Sequence, residues 1–177
     1  MGRMISSGQI PAGTAIFIDA NIFIYHFIAE TAVSHQCTSL LKQVESNAIN
    51  GFTSTIVLAE ISHRLMVLET IEQYKLTPKN AVRFLKEHPE KVKPLEKHLN
   101  AVIEIREMGV KLLPMEGKDI FSSLELQRKY GLLTNDSINL HIMLRDSIFS
   151  LASNDLDFEE IDFITLYKPS LVINPRC

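Results

Sequence analysis

The sequence predicts an α/β protein in three layers, with a roughly five-stranded parallel sheet between two layers of helices. Two observations lead to this prediction. Short segments rich in β-favouring apolar residues alternate along the chain with longer segments of helical periodicity, the pattern of parallel strands connected by helices. The first short segment, residues 15–19, is apolar up to its last position, as expected of a parallel strand buried on both faces.

Length and composition indicate one domain over residues 14–177, preceded by a flexible arm over residues 1–13. The chain has 177 residues, of which 46% are hydrophobic and 22% are charged, which is typical of a globular protein. The first 13 residues carry Gly, Ser and Pro without a continuous apolar run, so they do not resemble a signal peptide.

Several classes of protein are disfavoured by composition. The formal net charge of −3 does not by itself indicate a nucleic-acid binder. Cys37 and Cys177 are too few for a disulfide framework or a cysteine-based metal site, and they fit a cytoplasmic location. The apolar run over residues 16–27 contains Asp19 and Asn21 and is too short to cross a membrane.

The remaining elements follow from periodicity and from residues that begin and end helices. Asn21 is the expected N-cap of the first helix, and Gly51 and Gly131 are expected to end later helices. The predicted strands cover residues 15–19, 52–54, 110–114, 148–152 and 163–167. The predicted helices of the α/β layers cover residues 21–30, 31–50, 55–71, 118–130 and 136–146.

Residues 74–107 differ from this pattern and predict a helical insertion. Thr77 and Pro78 form a cap and a first-turn proline, which begin a helix that Pro89 breaks. Pro94 is expected to begin a second, longer helix that ends at Gly109.

Four acidic residues lie at positions where a site would form in such a fold. Asp19 follows the first strand, Asp155 follows the strand over residues 148–152, Asp136 starts a helix, and Glu60 lies within one. Each also has an ordinary explanation. Asp caps helices and fills turns, an acid is favourable in a first helical turn, and a lone helical Glu is usually solvated.

Taken together, these acids predict a metal site. Ligands bind at the carboxyl edge of the strands in open α/β sheets. Two carboxylates about 4 Å apart repel each other by roughly 4 kcal/mol at an effective dielectric constant near 20, so a cluster requires protons or cations. Mg²⁺ and Mn²⁺ prefer oxygen ligands of this kind, and such a site is suited to attack on phosphodiesters.

Four motifs in order make the sequence resemble the PIN-domain nucleases, the family that includes the VapC toxins of prokaryotic toxin–antitoxin pairs. The resemblance covers residues 15 to about 168, and the fourth motif has Ser where many members have Thr. The motifs are Phe-Ile-Asp-Ala-Asn at 17–21, Leu-Ala-Glu-Ile at 58–61, Asn-Asp-Ser-Ile at 135–138 and Leu-Ala-Ser-Asn-Asp-Leu-Asp-Phe at 151–158.

The resemblance implies a role for seven residues. The acids expected to be catalytic and to bind Mg²⁺ or Mn²⁺ are Asp19, Glu60, Asp136 and Asp155, with Asp157 as an auxiliary metal ligand. Asn21 and Ser153 are expected to orient these acids or the substrate. The resemblance also implies cleavage of RNA to 3′-hydroxyl and 5′-phosphate products, a homodimer, and an antitoxin protein as a partner.

Two alternatives to a toxin ribonuclease stay open. One is an RNA-processing PIN nuclease without an antitoxin, because residues 74–107 look like an expansion relative to compact VapC-like members. The other is a catalytically idle PIN-like module that binds RNA or protein. The presence of all four acids argues against the idle module.

The helical insertion carries an excess of positive charge. Residues 75–106 contain eight Lys and Arg against four Glu, a net charge of +4, while the whole chain has −3. We therefore expect a basic helical arm that helps to hold RNA. The alternatives are a solvated helical hairpin and a dimerisation arm that buries Leu95, Leu99, Val102 and Ile103 in a partner.

Overall fold

The computed structural model describes residues 3–6, 10–28 and 31–169, and residues 3–6 by their backbone only. Its strands are β1 (Arg3–Ser6), β2 (Ala15–Ile18), β3 (Asn50–Ser54), β4 (Lys111–Leu113), β5 (Ser150–Ala152) and β6 (Thr165–Lys168). Its α-helices are α1 (Ala20–Ile28), α2 (Ala32–Glu45), α3 (Thr55–Tyr74), α4 (Pro78–Glu87), α5 (Lys97–Glu107), α6 (Gly117–Tyr130) and α7 (Thr134–Arg145). Short 3₁₀ turns lie at Pro89–Lys91 and Leu156–Phe158.

The strands form one parallel sheet in the order β1-β6-β5-β2-β3-β4. The central strand β2 pairs with β3 on one side and with β5 on the other, so that Phe17 lies opposite both Phe52 and Leu151. Helices flank the sheet, which confirms the predicted three-layer α/β/α fold and its five strands. The order of the strands brings the end of β2 beside the end of β5.

The sheet has one strand more than predicted, β1, which lies within the segment predicted to be a flexible arm. Residues Arg3–Ser6 pair in parallel with β6, whose outer edge would otherwise present unpaired backbone groups. At these four positions the structure has a paired strand in the segment that was predicted to be an arm. Residues 1, 2 and 7–9 of that arm, residues 29 and 30 at the end of the predicted first helix, and residues 170–177 of the predicted domain lie outside the described residues.

The core explains one glycine that the sequence pattern misplaced. Gly51 lies within β3, because α2 ends at Glu45 and a turn with Asn47 at a φ of 58° returns the chain to the sheet. A Cβ atom at position 51 would lie 2.7 Å from Cγ1 of Val44. Gly51 therefore permits close packing of α2 on the sheet, rather than ending the helix.

The predicted insertion is helical, and it packs against α3. Helix α4 begins at Pro78, as predicted, and both α4 and α5 contact α3. Leu95 is fully buried, so this part of the insertion belongs to the packed protein. Leu99 and Ile103 are exposed, and contacts of this segment with RNA or with a second copy of the chain stay predictions.

Helix α5 begins at Lys97, three residues later than Pro94. Its start is determined by a side chain from another helix. The carboxylate of Glu69 in α3 accepts hydrogen bonds from the backbone N–H groups of Glu96 (3.2 Å) and Lys97 (2.9 Å). These N–H groups would otherwise lack partners at the helix N-terminus.

None of the described helices combines the length and apolar character that a membrane span requires.

Candidate active site

Asp19 lies at the carboxyl edge of the sheet, between β2 and α1. Its backbone N–H donates to the carbonyl of Ala152 at the end of β5, at 3.0 Å. Its carboxylate Oδ1 accepts a 2.7 Å hydrogen bond from the N–H of Ala20, the first residue of α1. Asp19 therefore precedes the helix, and the predicted N-cap, Asn21, lies inside the first turn.

Asn21 and Ser153 hold the Asp19 carboxylate from two sides. Ser153 Oγ donates to Asp19 Oδ2 at 2.6 Å, and Asn21 Nδ2 donates to the same oxygen. Asn21 Nδ2 also lies 3.0 Å from Ser153 Oγ, and Asn21 Oδ1 accepts a 3.0 Å hydrogen bond from the N–H of Asn154. These contacts tie the loop after β5 to the start of α1 and determine the orientation of Asp19.

Asp155 and Asp157 lie in the turn after β5 and have different environments. The N–H of Asp155 donates to Ser153 Oγ at 3.1 Å, and Asp155 Oδ1 accepts a 3.0 Å hydrogen bond from the N–H of Asp157. Asp155 thus caps the 3₁₀ turn, in which Phe158 is buried. Asp157 is exposed.

Asp136 is in the first turn of α7, as predicted, and no side chain of the described residues caps that helix. The N-cap is Leu133, without a side-chain hydrogen bond, so neither Thr134 nor Asn135 caps the helix. Helix α7 is anchored instead by Asn139, whose Oδ1 accepts a buried 2.6 Å hydrogen bond from Ser54 Oγ.

Glu60 lies on α3. Ser54 caps this helix by accepting from the N–H of Val57, so one residue aligns both α3 and α7. Glu60 Oε1 lies 3.3 Å from Nη1 of Arg64, one turn further along α3. The sequence pattern gave no sign of the contact between Ser54 and Asn139, which are 85 residues apart.

The four principal acids line a single cavity of about 470 Å³. Its walls also include Arg64 and the residues around the starts of α1 and α7. The structure thus brings Asp19, Glu60, Asp136 and Asp155 together, and Asp157 does not line this cavity. Among the described residues, no three Asp, Glu, His or Cys side chains converge closely enough to form a ready-made metal cage.

Burial and mutual repulsion raise the pKa of two of these acids. The pKa of Asp19 is raised to about 6, mainly by burial and further by the charges of Glu60 and Asp155. Its hydrogen bonds from Ser153 and Ala20 oppose this increase. The pKa of Asp136 is raised to about 7, by burial and then by the charges of Asp19, Asp155, Glu60 and Asp157.

The donor set of this cavity fits a hard divalent cation. Its carboxylate oxygens are the ligands that Mg²⁺ and Mn²⁺ prefer, and the repulsion among the acids is what a cation relieves. Because the acids do not form a closed cage, water would complete the coordination, as Mg²⁺ commonly retains several water ligands.

Arg64 lines the cavity, although the motifs in the sequence did not assign it to the site. It is four residues after Glu60, and residues at i and i+4 share one face of a helix. Once Glu60 was assigned to the site, this spacing was sufficient to predict that Arg64 would lie beside it.

Comparison with known proteins agrees with this fold. Ribonuclease VapC2 from Methanocaldococcus jannaschii is 28% identical over 153 residues, covering 86% of this chain and 93% of its own. VapC20 from Mycobacterium tuberculosis, described as a toxin that cleaves the sarcin–ricin loop, superposes with a TM-score of 0.58 at 14% identity, covering 84% of this chain and 96% of its own. A chain of a toxin–antitoxin complex from Klebsiella pneumoniae superposes with a TM-score of 0.53 at 16% identity, covering 90% and 100%.

The sequence profile of the PIN domain matches residues 16–164, which include all four acids, strands β3, β4 and β5 in full, and all of β2 except Ala15. The profile match covers most of the chain. VapC2, VapC20 and the Klebsiella pneumoniae chain are each matched over nearly their whole length. The chain belongs to the PIN domain family.

Proposed function

We propose that this protein is a divalent-metal-dependent endoribonuclease that acts as the toxin of a toxin–antitoxin pair. The observation that supports the proposal most strongly is the single cavity lined by Asp19, Glu60, Asp136 and Asp155. These acids come from four separate segments of the chain, and charge repulsion among them contributes to the raised pKa values of two.

The residues of the cavity have distinct roles in this proposal. Mg²⁺ or Mn²⁺ held by the four acids would activate a water molecule and stabilise negative charge on the phosphoryl group. Ser153 and Asn21 hold the carboxylate of Asp19 in place through their hydrogen bonds to Oδ2. Attack of water on phosphorus would break the bond to the 3′-oxygen, leaving a 3′-hydroxyl and a 5′-phosphate. Asp157 would add negative charge near Asp136.

The partners follow from the relatives. VapC2 is named a ribonuclease, and the Klebsiella pneumoniae chain belongs to a toxin–antitoxin complex. We therefore infer RNA as the substrate and an antitoxin protein as the inhibitor; the homodimer stays an expectation from the family resemblance. Neutralisation of the activity by the product of a small adjacent gene would support the toxin role, and an RNA-processing enzyme would show no such inhibition.

The test of the enzymatic function is cleavage of defined RNA by purified protein. Activity should require Mg²⁺ or Mn²⁺, stop with chelator and be lost in Asp19→Asn and in Asp136→Asn. Circular dichroism should show that both variants keep the fold. Cleavage by both variants at the wild-type rate would contradict the assignment of the site, while RNA binding without cleavage by the wild type would identify the idle module.

A further inference from the structure

Arg64 stands out in the acidic cavity because of its charge. Among the described residues that line the cavity, it is the one basic side chain. Its side chain is 54% exposed, and it contacts Glu60 at 3.3 Å through an ion pair. Within the described part of the chain, the structure records no hydrogen bond from the Arg64 guanidinium to another residue.

Arg64 also borders a second cavity. This neighbouring cavity of about 560 Å³ lies between α1, α3 and α4, and its lining is mainly apolar. Ile24, Tyr25 and Leu68 contribute to its walls. Arg64 and Asn21 line both cavities, so they mark the place where the two meet.

The charge of the acidic cavity creates a difficulty for an anionic substrate. A phosphodiester that enters it approaches four carboxylates that line one cavity of about 470 Å³. A guanidinium has five N–H donors in a planar fork that matches the oxygens of a phosphate. An exposed ion pair between residues four apart on a helix is weak, so Arg64 can readily exchange Glu60 for a phosphate.

We propose that Arg64 is a phosphate-binding residue for the RNA substrate. It binds the phosphate next to the scissile one, on the side where the strand leaves the acidic cavity and passes over the apolar one. The guanidinium turns from Glu60 to this phosphate when RNA binds, which releases Glu60 for the metal. This inference rests on the proposed ribonuclease function and adds a specific contact to it.

The test is the salt dependence of RNA binding. We would measure binding of a fluorescent single-stranded RNA in the inactive Asp136→Asn background, with Arg64→Gln, Arg64→Lys and the control Arg128→Gln. Arg128 is exposed on α6 and lines neither cavity. Arg64→Gln should raise Kd about tenfold and reduce the slope of log K against log salt by about 1. Arg64→Lys should keep the slope but bind less tightly, and Arg128→Gln should match the background.

Kinetics of the otherwise wild-type enzyme provide a second measurement. Arg64→Gln should raise KM by a similar factor, with a much smaller change in kcat, because the contact is made to a phosphate that does not react. A merely structural role for Arg64 would change the melting temperature and leave the salt slope unaltered.

The possible failures are distinguishable. An unchanged Kd and salt slope in Arg64→Gln would overturn the phosphate contact, even if the enzyme cleaves RNA. A change in only the Mn²⁺ concentration needed for activity would also overturn it, by showing that Arg64 serves Glu60 alone. If the wild type does not cleave RNA but the salt slope depends on Arg64, the phosphate contact stands and the proposed ribonuclease function fails.

Discussion

Replacing Asp136 with Asn should make the metal-free protein more stable at pH 8 while abolishing its activity. Asp136 is partly buried in the acidic cavity, and its carboxylate accepts no hydrogen bond that the structure records from the described residues. Its pKa is raised from 3.8 to about 7 by burial and by neighbouring acids. Ionisation of Asp136 therefore works against folding.

The size of this effect can be bounded from the pKa. Each unit of pKa difference between the folded and unfolded states corresponds to about 1.4 kcal/mol, so the increase from 3.8 to about 7 gives an upper bound of about 4 kcal/mol. Because Asp136 is only partly buried, solvent screening reduces this to about 1–2 kcal/mol. Loss of a favourable charge in the first turn of α7 offsets about 0.3–1 kcal/mol of the gain.

The sign of the pH dependence follows from the direction of the shift. A carboxyl group whose pKa is raised on folding contributes stability below its unfolded pKa, and this contribution is lost as pH rises through the folded value. The window for Asp136 thus runs from about pH 4 to pH 7. The advantage of Asp136→Asn should be absent at pH 4 and should grow to its full size by pH 8.

Urea unfolding in the presence of EDTA measures this difference directly. Wild type, Asp136→Asn and the control Glu125→Gln would be compared at pH 4, 6 and 8. Glu125 is an exposed acid on α6, and it does not line the acidic cavity. If Asp136→Asn is no more stable than wild type at pH 8, or if its advantage persists at pH 4, the repulsion inferred from the structure is wrong.

Three further predictions concern the metal and the helical insertion. Millimolar Mn²⁺ should raise the melting temperature of the wild type more than that of Asp19→Asn, because a cation bound to the native state stabilises it by mass action; equal increases would indicate non-specific ion effects. Asp155→Asn should weaken Mn²⁺ binding in calorimetry more than Asp157→Asn, since Asp155 lines the cavity and Asp157 does not; the reverse order would contradict this. Glu69→Gln should cost about 1–3 kcal/mol in urea unfolding, because an amide cannot accept both hydrogen bonds from the N-terminus of α5. The control Glu72→Gln removes an exposed acid of the same helix that is paired with Lys97, and a loss equal to that of Glu69→Gln would refute the capping role.

The fold was predictable because its signal is local and repeated. Apolar strands and periodic helices alternate along the chain, and a parallel sheet with helices on both faces follows from that alternation. The meeting of Asp19 and Asp155 also follows, since both come after strands whose carboxyl ends share one edge of the sheet. The order of the strands, which makes β2 and β5 neighbours, is not contained in any local pattern.

The features that sequence analysis missed depend on contacts between distant residues. The start of α5 is determined by Glu69, which lies 28 residues before Lys97, and no local pattern near Pro94 reports that partner. In the same way, Asn139 is positioned by Ser54. The strand β1 forms because β6 offers an edge, although the composition of residues 1–13 indicates an arm.

Two of the acids have an ordinary structural role as well as a place in the cavity, and a third acid has no such structural role in the described part of the chain. Asp155 does cap a turn, and Asp19 does accept from the first N–H of a helix, so folding accounts for part of their chemistry. Asp136 has no such structural role among the described residues, because Leu133 is the N-cap of α7. Its charge is opposed by burial and by four neighbouring acids. Since folding is better served by a neutral side chain at position 136, we expect the carboxylate there to serve the cation proposed for the cavity.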